Sequence, residues 1–365
     1  LDFMRSIDKN MDTGHVLTVY NSTSYTVFED SLRKEKTLTF RDKILRHTEF
    51  ENVTASSVVP GDPIGFTYHN LTKRSLTDPD DGVPYKVLFV DYSYIPVFGL
   101  KLKAGRNYSE ERGEDKNHDT LILNESAIRA LGFRSAEEAL GEDVYFMVTF
   151  DWKKYKIAGI VEDYRHESAK TPMLPTIFYF HDYVGQMTYY SLRVSANADP
   201  SAALKMAETA WAEVWPGKQF DYFFADQHYD QQYKSEIYFV RISIAFAAVA
   251  LFLACLGIIG ISLFETNARL REVGIRKVLG ASVASIVSLL SRSNLRIVVL
   301  SSLVSIPFIW LMSDRWLSGY PVRINISPVL FLTPLLIVMA LVMITSGFQT
   351  LKAARTNPVD YLKNE

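Results

Sequence analysis

The side chains with most chemistry to offer sit close together in one charged segment. Arg269, Glu272, Arg276 and Lys277 are spaced to lie along a short helix, with Glu272 and Arg276 four residues apart for an ion pair. Val273, Ile275, Val278 and Leu279 give that helix an apolar side, and Gly280 can end it. A helix with a charged face and an exposed apolar edge can key into a partner's groove or rest on anionic lipid. Elsewhere the ingredients of catalysis do not assemble. The sequence contains no H-E-x-x-H, G-x-S-x-G, C-x-x-C or Gly-rich dinucleotide fingerprint. It contains no G-x-x-x-x-G-K-[ST] stretch to cradle phosphates. Asp163, His166 and Glu167 are the nearest approach to a metal-binding group, and a solvated turn is expected there. Glu110–Asp119 reads as a solvated charge run. Cys255, the single cysteine, lies in an apolar run and reads as a small packing residue. The N-x-[ST] triplets that begin at Asn21, Asn52, Asn70, Asn107 and Asn124 read as coincidence.

The elements around this segment divide the chain in two. Residues 1–236 carry 27 Lys/Arg and 36 Asp/Glu, and residues 237–365 carry 12 and 5. An acidic part followed by a basic, apolar part points to two environments. A bilayer core needs about 20 apolar helical residues. Ile242–Phe264 supplies 23 without a charge, and Ile324–Leu351 supplies 28, interrupted by Pro328 and Pro334. Ile297–Ser313 supplies 17 and is expected to extend backwards through Val283–Leu295, with Arg292 and Arg296 snorkelling toward headgroups. Three transmembrane helices are therefore expected, at about 240–264, 286–313 and 326–350. Positive charge gathers in 265–296 and after Leu351, which predicts that both lie in the cytoplasm and that residues 1–236 lie outside. Trp310, Trp316, Tyr320 and Tyr238 fall near the outer boundary. Gly257, Gly260 and the alanines of the first span predict a helix-packing face.

The outer part reads as α+β. His15–Tyr20, Tyr25–His47 and Val53–Val59 give strand, helix, strand, and Tyr189–Val194, Asp199–Trp215 and Phe220–Phe224 repeat that order. Pro200 suits the first turn of its helix, and Pro216–Gly217 ends it. Two βαβ-like units, 14–60 and 188–224, are expected around an inserted β-rich subdomain at about 62–187. Strands are predicted there at Tyr85–Val90, Thr120–Leu123, Val144–Phe150 and Tyr155–Val161. Short helices are predicted at Asn124–Leu131 and Ala136–Leu140, and a mobile loop at Lys73–Asp81. Residues 226–241 are polar with helical spacing and no Gly or Pro, which predicts an unbroken stalk helix running into the first span.

Glu265–Ser282 (ETNARLREVGIRKVLGAS) resembles the cytoplasmic loop of FtsX-like permeases, close to the MacB type, and Ala353–Glu365 resembles their C-terminal ending. Phe98–Arg106, Asn124–Ala127, Ala130–Gly132 and Ile157–Asp163 are similar to pieces of the MacB-type periplasmic core domain. The resemblance implies the permease subunit of an ABC transporter in a bacterial inner membrane, with no enzymatic activity and no cofactor of its own. An ATP-binding subunit would dock on Glu265, Arg269, Arg271, Glu272, Gly274, Ile275, Arg276, Lys277, Leu279 and Gly280. Its ATP-driven dimerisation would move the membrane helices and, through the stalk, the outer domain. This mechanotransmission would serve export or extraction of an apolar, peptide or lipoprotein-like substrate. A second permease copy or homologous half, membrane lipid and a periplasmic adaptor are the further partners implied; nucleic acid is not. The alternative is a non-transporting signalling or scaffold protein that regulates a cell-wall hydrolase or senses antimicrobial peptides. Family members carry a transmembrane helix before the outer domain, so export of residues 1–236 is expected to depend on a segment upstream of Leu1.

Overall fold

The computed structural model describes residues 9–21, 30–73, 83–147, 152–181, 187–268, 272, 275, 276, 279–319 and 326–355. The loop expected at Lys73–Asp81, beyond Lys73 itself, and the chain after Arg355 lie outside these residues. The chain divides into two compact units, Leu1–Lys234 and Ser235–Glu365.

The first unit is a mixed α/β unit built on a large sheet. Its opening elements are β1 (Val16–Tyr20), α1 (Asp30–Ile44) and β2 (Phe50–Ser56), and its closing ones are β11 (Tyr189–Val194), α6 (Pro200–Val214) and β12 (Asp221–Phe224). These four strands lie in the order β12-β1-β11-β2, every neighbour antiparallel. Each strand–helix–strand unit therefore leaves a gap that a strand of the other fills, the split βαβ arrangement. Asp199 caps α6 by accepting the amides of Ser201 and Ala202, and Pro200 takes the first turn, where its missing N–H costs nothing. Helices α1 and α6 pack on each other and share one core.

The middle stretch extends the same sheet. It contributes β3 (Thr67–Tyr68), β4 (Leu71–Thr72), β5 (Tyr85–Val90), α2 (Tyr94–Val97), β6 (Leu102–Gly105), α3 (Gly113–Lys116), β7 (Thr120–Asn124), α4 (Glu125–Ala130), α5 (Ala136–Ala139), β8 (Asp143–Phe146), β9 (Lys153–Val161) and β10 (Thr176–Phe180). The order continues from β2 through β5-β10-β7-β9-β8-β4, with β3 on β5 and β6 on β9. The join between β2 and β5 is narrow: Ser56 opposite Val90 is the one ladder pair. Asp91 reinforces it, because its carboxylate accepts the amides of Ala55 and Ser93, at 2.8 and 2.9 Å, and the Thr54 hydroxyl. Along the strands alternate residues enter opposite cores, as the two-residue period requires. Val87 and Phe89 join the core under α1 and α6, and Leu88 and Val90 join the one on the other face.

The expected unbroken stalk helix is two helices. α7 (Ala225–Gln231) ends before a turn at Gln232–Tyr233, and α8 (Lys234–Ala268) begins after it. The cause is tertiary. The Tyr233 side chain is buried and its hydroxyl accepts the Ala169 amide at 3.1 Å, while Tyr229 donates to the Glu167 carbonyl at 3.0 Å. Both anchors hold the chain to the outer unit where a straight helix would leave it.

The second unit holds α8, α9 (Val283–Leu317) and α10 (Val329–Arg355), of which α9 and α10 pack side by side. α9 runs unbroken from Val283, so the apolar run at 297–313 is extended backwards, and Arg292 and Arg296 are exposed on it. Two stretches, Lys234–Ile261 and Leu295–Leu317, are long and apolar enough to cross a membrane, and that of α10, Val329–Thr345, is shorter. Pro307 and Pro334 sit inside α9 and α10, as membrane helices tolerate.

Candidate functional site

The charged segment after α8 begins at Glu265, in that helix's last turn. Arg269, Arg271, Gly274 and Lys277 lie outside the described residues. The structure brings Glu272 and Arg276 together: their carboxylate and guanidinium meet at 2.7 Å, four residues apart, each side chain 45% exposed. Ile275 and Leu279 stand beside the pair and are strongly exposed. The turn then closes on itself. The Leu279 amide donates to the Ile275 carbonyl at 3.1 Å and the Ala281 amide to the Arg276 carbonyl at 2.9 Å. Between them Gly280 takes φ +87°. A six-to-one bond across a left-handed glycine is the Schellman ending of a helix, and glycine adopts that conformation without the cost an L side chain meets. Ser282 then caps α9 through the Ser285 amide. The result is a short connector that keeps a cationic group and two large apolar side chains in solvent.

The residues that carry the outer-domain resemblance form a scaffold knot. Asn124 caps α4 through the Ala127 amide, and the same oxygen accepts the Thr176 amide at 2.8 Å. Asp163 accepts both the amide and the hydroxyl of Ser126, at 2.9 and 2.7 Å, and pairs with Arg129. Gly159 lies so close to β6 that a Cβ there would stand 2.3 Å from the Arg106 carbonyl oxygen. Arg106 in turn pairs with the fully buried Asp115 at 2.6 Å. Every charge here is used for positioning.

Sequence reasoning missed three features. Asp91 is buried at the sheet join, and burial pushes its carboxyl up to about 6 against the pull of its hydrogen bonds. His166, expected in a solvated turn, is 7% exposed, and burial pushes its imidazole down to about 4. In the second unit a groove of about 500 Å³ between α9 and α10 is walled by apolar side chains and by Ser301, Ser302 and Ser305. Ser301 and Ser302 both donate to the Val298 carbonyl, so they present small rather than hydrogen-bonding surfaces. Among the described residues no three His, Cys, Asp or Glu side chains form a metal-holding group.

A large sheet-based unit is followed along the chain by two helices long and apolar enough to cross a membrane, with an exposed ion pair in the connector between them. Residues 244–358 match the family model described as FtsX-like permease C-terminal. A 200-residue stretch is 26% identical to the macrolide export ATP-binding/permease protein MacB of Sodalis glossinidius, covering 53% of this chain and 30% of that protein. Residues 244–358 thus resemble the C-terminal part of FtsX-like permeases, the chain is similar to MacB, and it spans under a third of that curated relative. Among solved structures, the periplasmic region of MacB from Actinobacillus actinomycetemcomitans aligns at TM-score 0.41 and 14% identity, covering 62% of this chain and 95% of that one. The extracellular domain of the noncanonic ABC-type transporter YknZ from Gram-positive bacteria aligns at TM-score 0.37 and 12% identity, covering 57% and 97%.

Proposed function

We propose that this chain is the permease subunit of an ABC transporter, driven by an ATP-binding subunit that docks on residues 265–280. The observation that carries the reading is the FtsX-like match over 244–358, inside which the exposed Glu272–Arg276 pair and the apolar edge of Ile275 and Leu279 stand ready for a partner. Both fit helix-in-groove docking, where apolar anchors supply affinity and charges set register. In this reading three helices cross a bacterial inner membrane, the sheet unit lies outside, and the 265–296 segment and the C-terminus lie in the cytoplasm. A βαβ pair at 14–60 and 188–224 carries the inserted strands of 62–187. The sheet unit moves in response to ATP hydrolysis to export or extract an apolar, peptide or lipoprotein-like substrate. A second permease copy or homologous half completes the machine, with an adaptor outside as a further partner.

The test is co-purification. Arg276→Glu and Ile275→Asp should each abolish capture of a P-loop ATPase by the membrane-embedded chain and remove its stimulation of ATP hydrolysis. Undiminished capture by both variants would remove the docking site. Labelling of introduced cysteines with an impermeant maleimide checks the topology: Gln219→Cys should react in intact cells, and Leu279→Cys only after they are opened. A reversed pattern would sink the orientation.

A further inference from the structure

Helices α1 and α6 leave a groove of about 480 Å³ between them on the outer unit. Beneath it the two helices meet through Phe40 and Trp211, ring centroids 5.7 Å apart, over the core they share. At the groove itself α6 offers only small or flexible apolar side chains, Ala202, Met206 and Ala210, so the helices do not close. The walls are cationic. Lys43, Arg46 and His47 come from the end of α1 and the turn after it, and Lys205 comes from α6. Among the described residues that line the groove Glu213 is the one acid, and it is already engaged. Lys43 Nζ lies 2.5 Å from its carboxylate, and that bond holds the Glu213 carboxyl below its usual range. Among the described residues the side chains of Arg46, His47 and Lys205 make no hydrogen bond or ion pair, and all three are exposed. Cations at a helix C-terminus answer the helix dipole, which accounts for those of α1. The dipole gives no reason for Lys205, the sixth residue of α6, because its effect fades within the first and last turns. Residues 1–236 carry 27 Lys/Arg against 36 Asp/Glu, so the groove also inverts the charge of its surroundings.

We propose that this groove binds a phosphate monoester, with Arg46 and Lys205 holding the phosphate and Met206 and the two alanines lying under the rest of the ligand. A guanidinium presents paired N–H donors that match two phosphate oxygens, and an ammonium adds a compact charge. The His47 imidazole can supply a further N–H. A phosphate monoester offers three acceptor oxygens, enough to take donors from both helices at once, where a carboxylate has two. A groove of this volume is of the size that takes a small molecule. The ester can be a soluble phosphate or the headgroup of a lipid, since the walls answer the phosphate in either case. The site lies wholly within the outer unit and does not depend on the ATPase reading.

Calorimetric titration of the full chain in phosphatidylcholine nanodiscs, against empty nanodiscs, tests it with glycerol 3-phosphate, dihexanoyl phosphatidate and hexaglutamate. At least one of the two phosphates should bind saturably. Equal binding of both assigns the site to soluble phosphates, and binding of phosphatidate alone assigns it to a lipid headgroup. Arg46→Gln and Lys205→Gln should each weaken that binding about tenfold, through loss of one charge-assisted bond. Glu213→Gln, which releases Lys43 toward the groove, should tighten it about threefold. Lys101→Gln, at an exposed lysine outside the groove, should leave it unchanged. No saturable binding of either phosphate, tighter binding of hexaglutamate, a weakening in Glu213→Gln, or an equal loss in Lys101→Gln would overturn the site. If the groove variants do not fold, lysine acetylation of the wild-type chain read by mass spectrometry decides. The bound phosphate must protect Lys205 more than Lys101, and equal protection rejects the proposal.

Discussion

The outer unit and the membrane unit place their large side chains in opposite ways. In the first, Phe40, Tyr190, Trp211 and Trp215 crowd together with ring centroids 4.2 to 6.0 Å apart and almost no exposure. In the second, Phe246, Phe252, Phe308 and Phe348 are each more than 60% exposed, and Val342 is the one buried hydrophobic side chain among the described residues. Water drives the first arrangement, since each buried apolar surface is surface removed from solvent. Lipid permits the second, because hydrocarbon solvates phenylalanine as well as a protein core does and leaves only close packing to hold helices together. Backbone polarity is settled differently too. The helices satisfy their own amides and carbonyls, whereas the sheet depends on partners distant in sequence.

The widest separation between the two units should appear when one aromatic ring is removed from each. Trp211→Ala deletes a ring packed against Trp215, Phe40 and Tyr190, and should cost about 3–5 kcal/mol. Phe308→Ala, on the exposed face of α9, should change stability by less than about 0.5 kcal/mol in detergent. Thermal unfolding of the full chain followed by circular dichroism measures both. Equal losses would mean that the exposed face of α9 is packed in the assembled protein.

The same contrast explains what could be read from the sequence. The apolar runs at 242–264 and 297–313 are local signals, and both correspond to helices. The order β1, α1, β2 is legible because period and capping are local, although β2 starts at Phe50, three residues before the expected Val53. The Glu272–Arg276 pair is legible for the same reason. The sheet join at Ser56–Val90 is not, because it brings together residues 34 positions apart through one ladder pair. His166 was expected in solvent because its own neighbours are polar; Asp62 and Tyr229, which close over its loop, come from elsewhere in the chain. The break at Gln232–Tyr233 escapes detection because its cause, the Ala169 amide, lies 64 residues upstream.

A second test sharpens the comparison through pH, since the outer unit alone buries titratable groups described here. Asp91 titrates at about 6 in the fold, above its free value of 3.8. Its ionisation therefore weakens the fold, and stability should rise as pH falls through 6 toward 4. His166 titrates at about 4, below its free value of 6.5. The unfolded chain takes up that proton first, so stability should fall as pH drops from 6.5 to 4. Each effect is at most about 3 kcal/mol, and over this window they oppose. The variants should separate them: relative to wild type, Asp91→Asn should lose stability on acidification and His166→Gln should gain it. Parallel pH profiles for both would show that neither group is buried as described.

A smaller effect is expected in the connector. Nothing stands within 4 Å of the position a Cβ would take at Gly280, so the cost of Gly280→Ala is purely that of φ +87°. That cost is about 1 kcal/mol, or about fivefold in an equilibrium. Affinity for the proposed ATP-binding subunit, measured by titrating ATPase stimulation, should weaken by about that factor, and Gly280→Asn should recover part of it because asparagine tolerates the left-handed region. An unchanged affinity would mean that the ending of this helix is irrelevant to docking.

The smallest effect is the most discriminating. Glu272 and Arg276 are both about half exposed, and an exposed pair four apart on a helix contributes about 0.3–0.5 kcal/mol. If Arg276 matters only to its own helix, Glu272→Gln and Arg276→Gln should weaken docking equally, by about twofold. If Arg276 faces a partner's carboxylate, Glu272→Gln should stay within that factor or even tighten binding by releasing the guanidinium. Arg276→Gln should then cost tenfold or more, because loss of one side of a buried charged contact leaves the other unpaired. Salt separates the cases further: an intrahelical pair in solvent is screened in free and docked states alike, so only an intermolecular one makes the affinity itself fall with ionic strength. Equal small losses with no salt dependence would assign the pair to helix stability alone and leave Ile275 and Leu279 as the docking contacts.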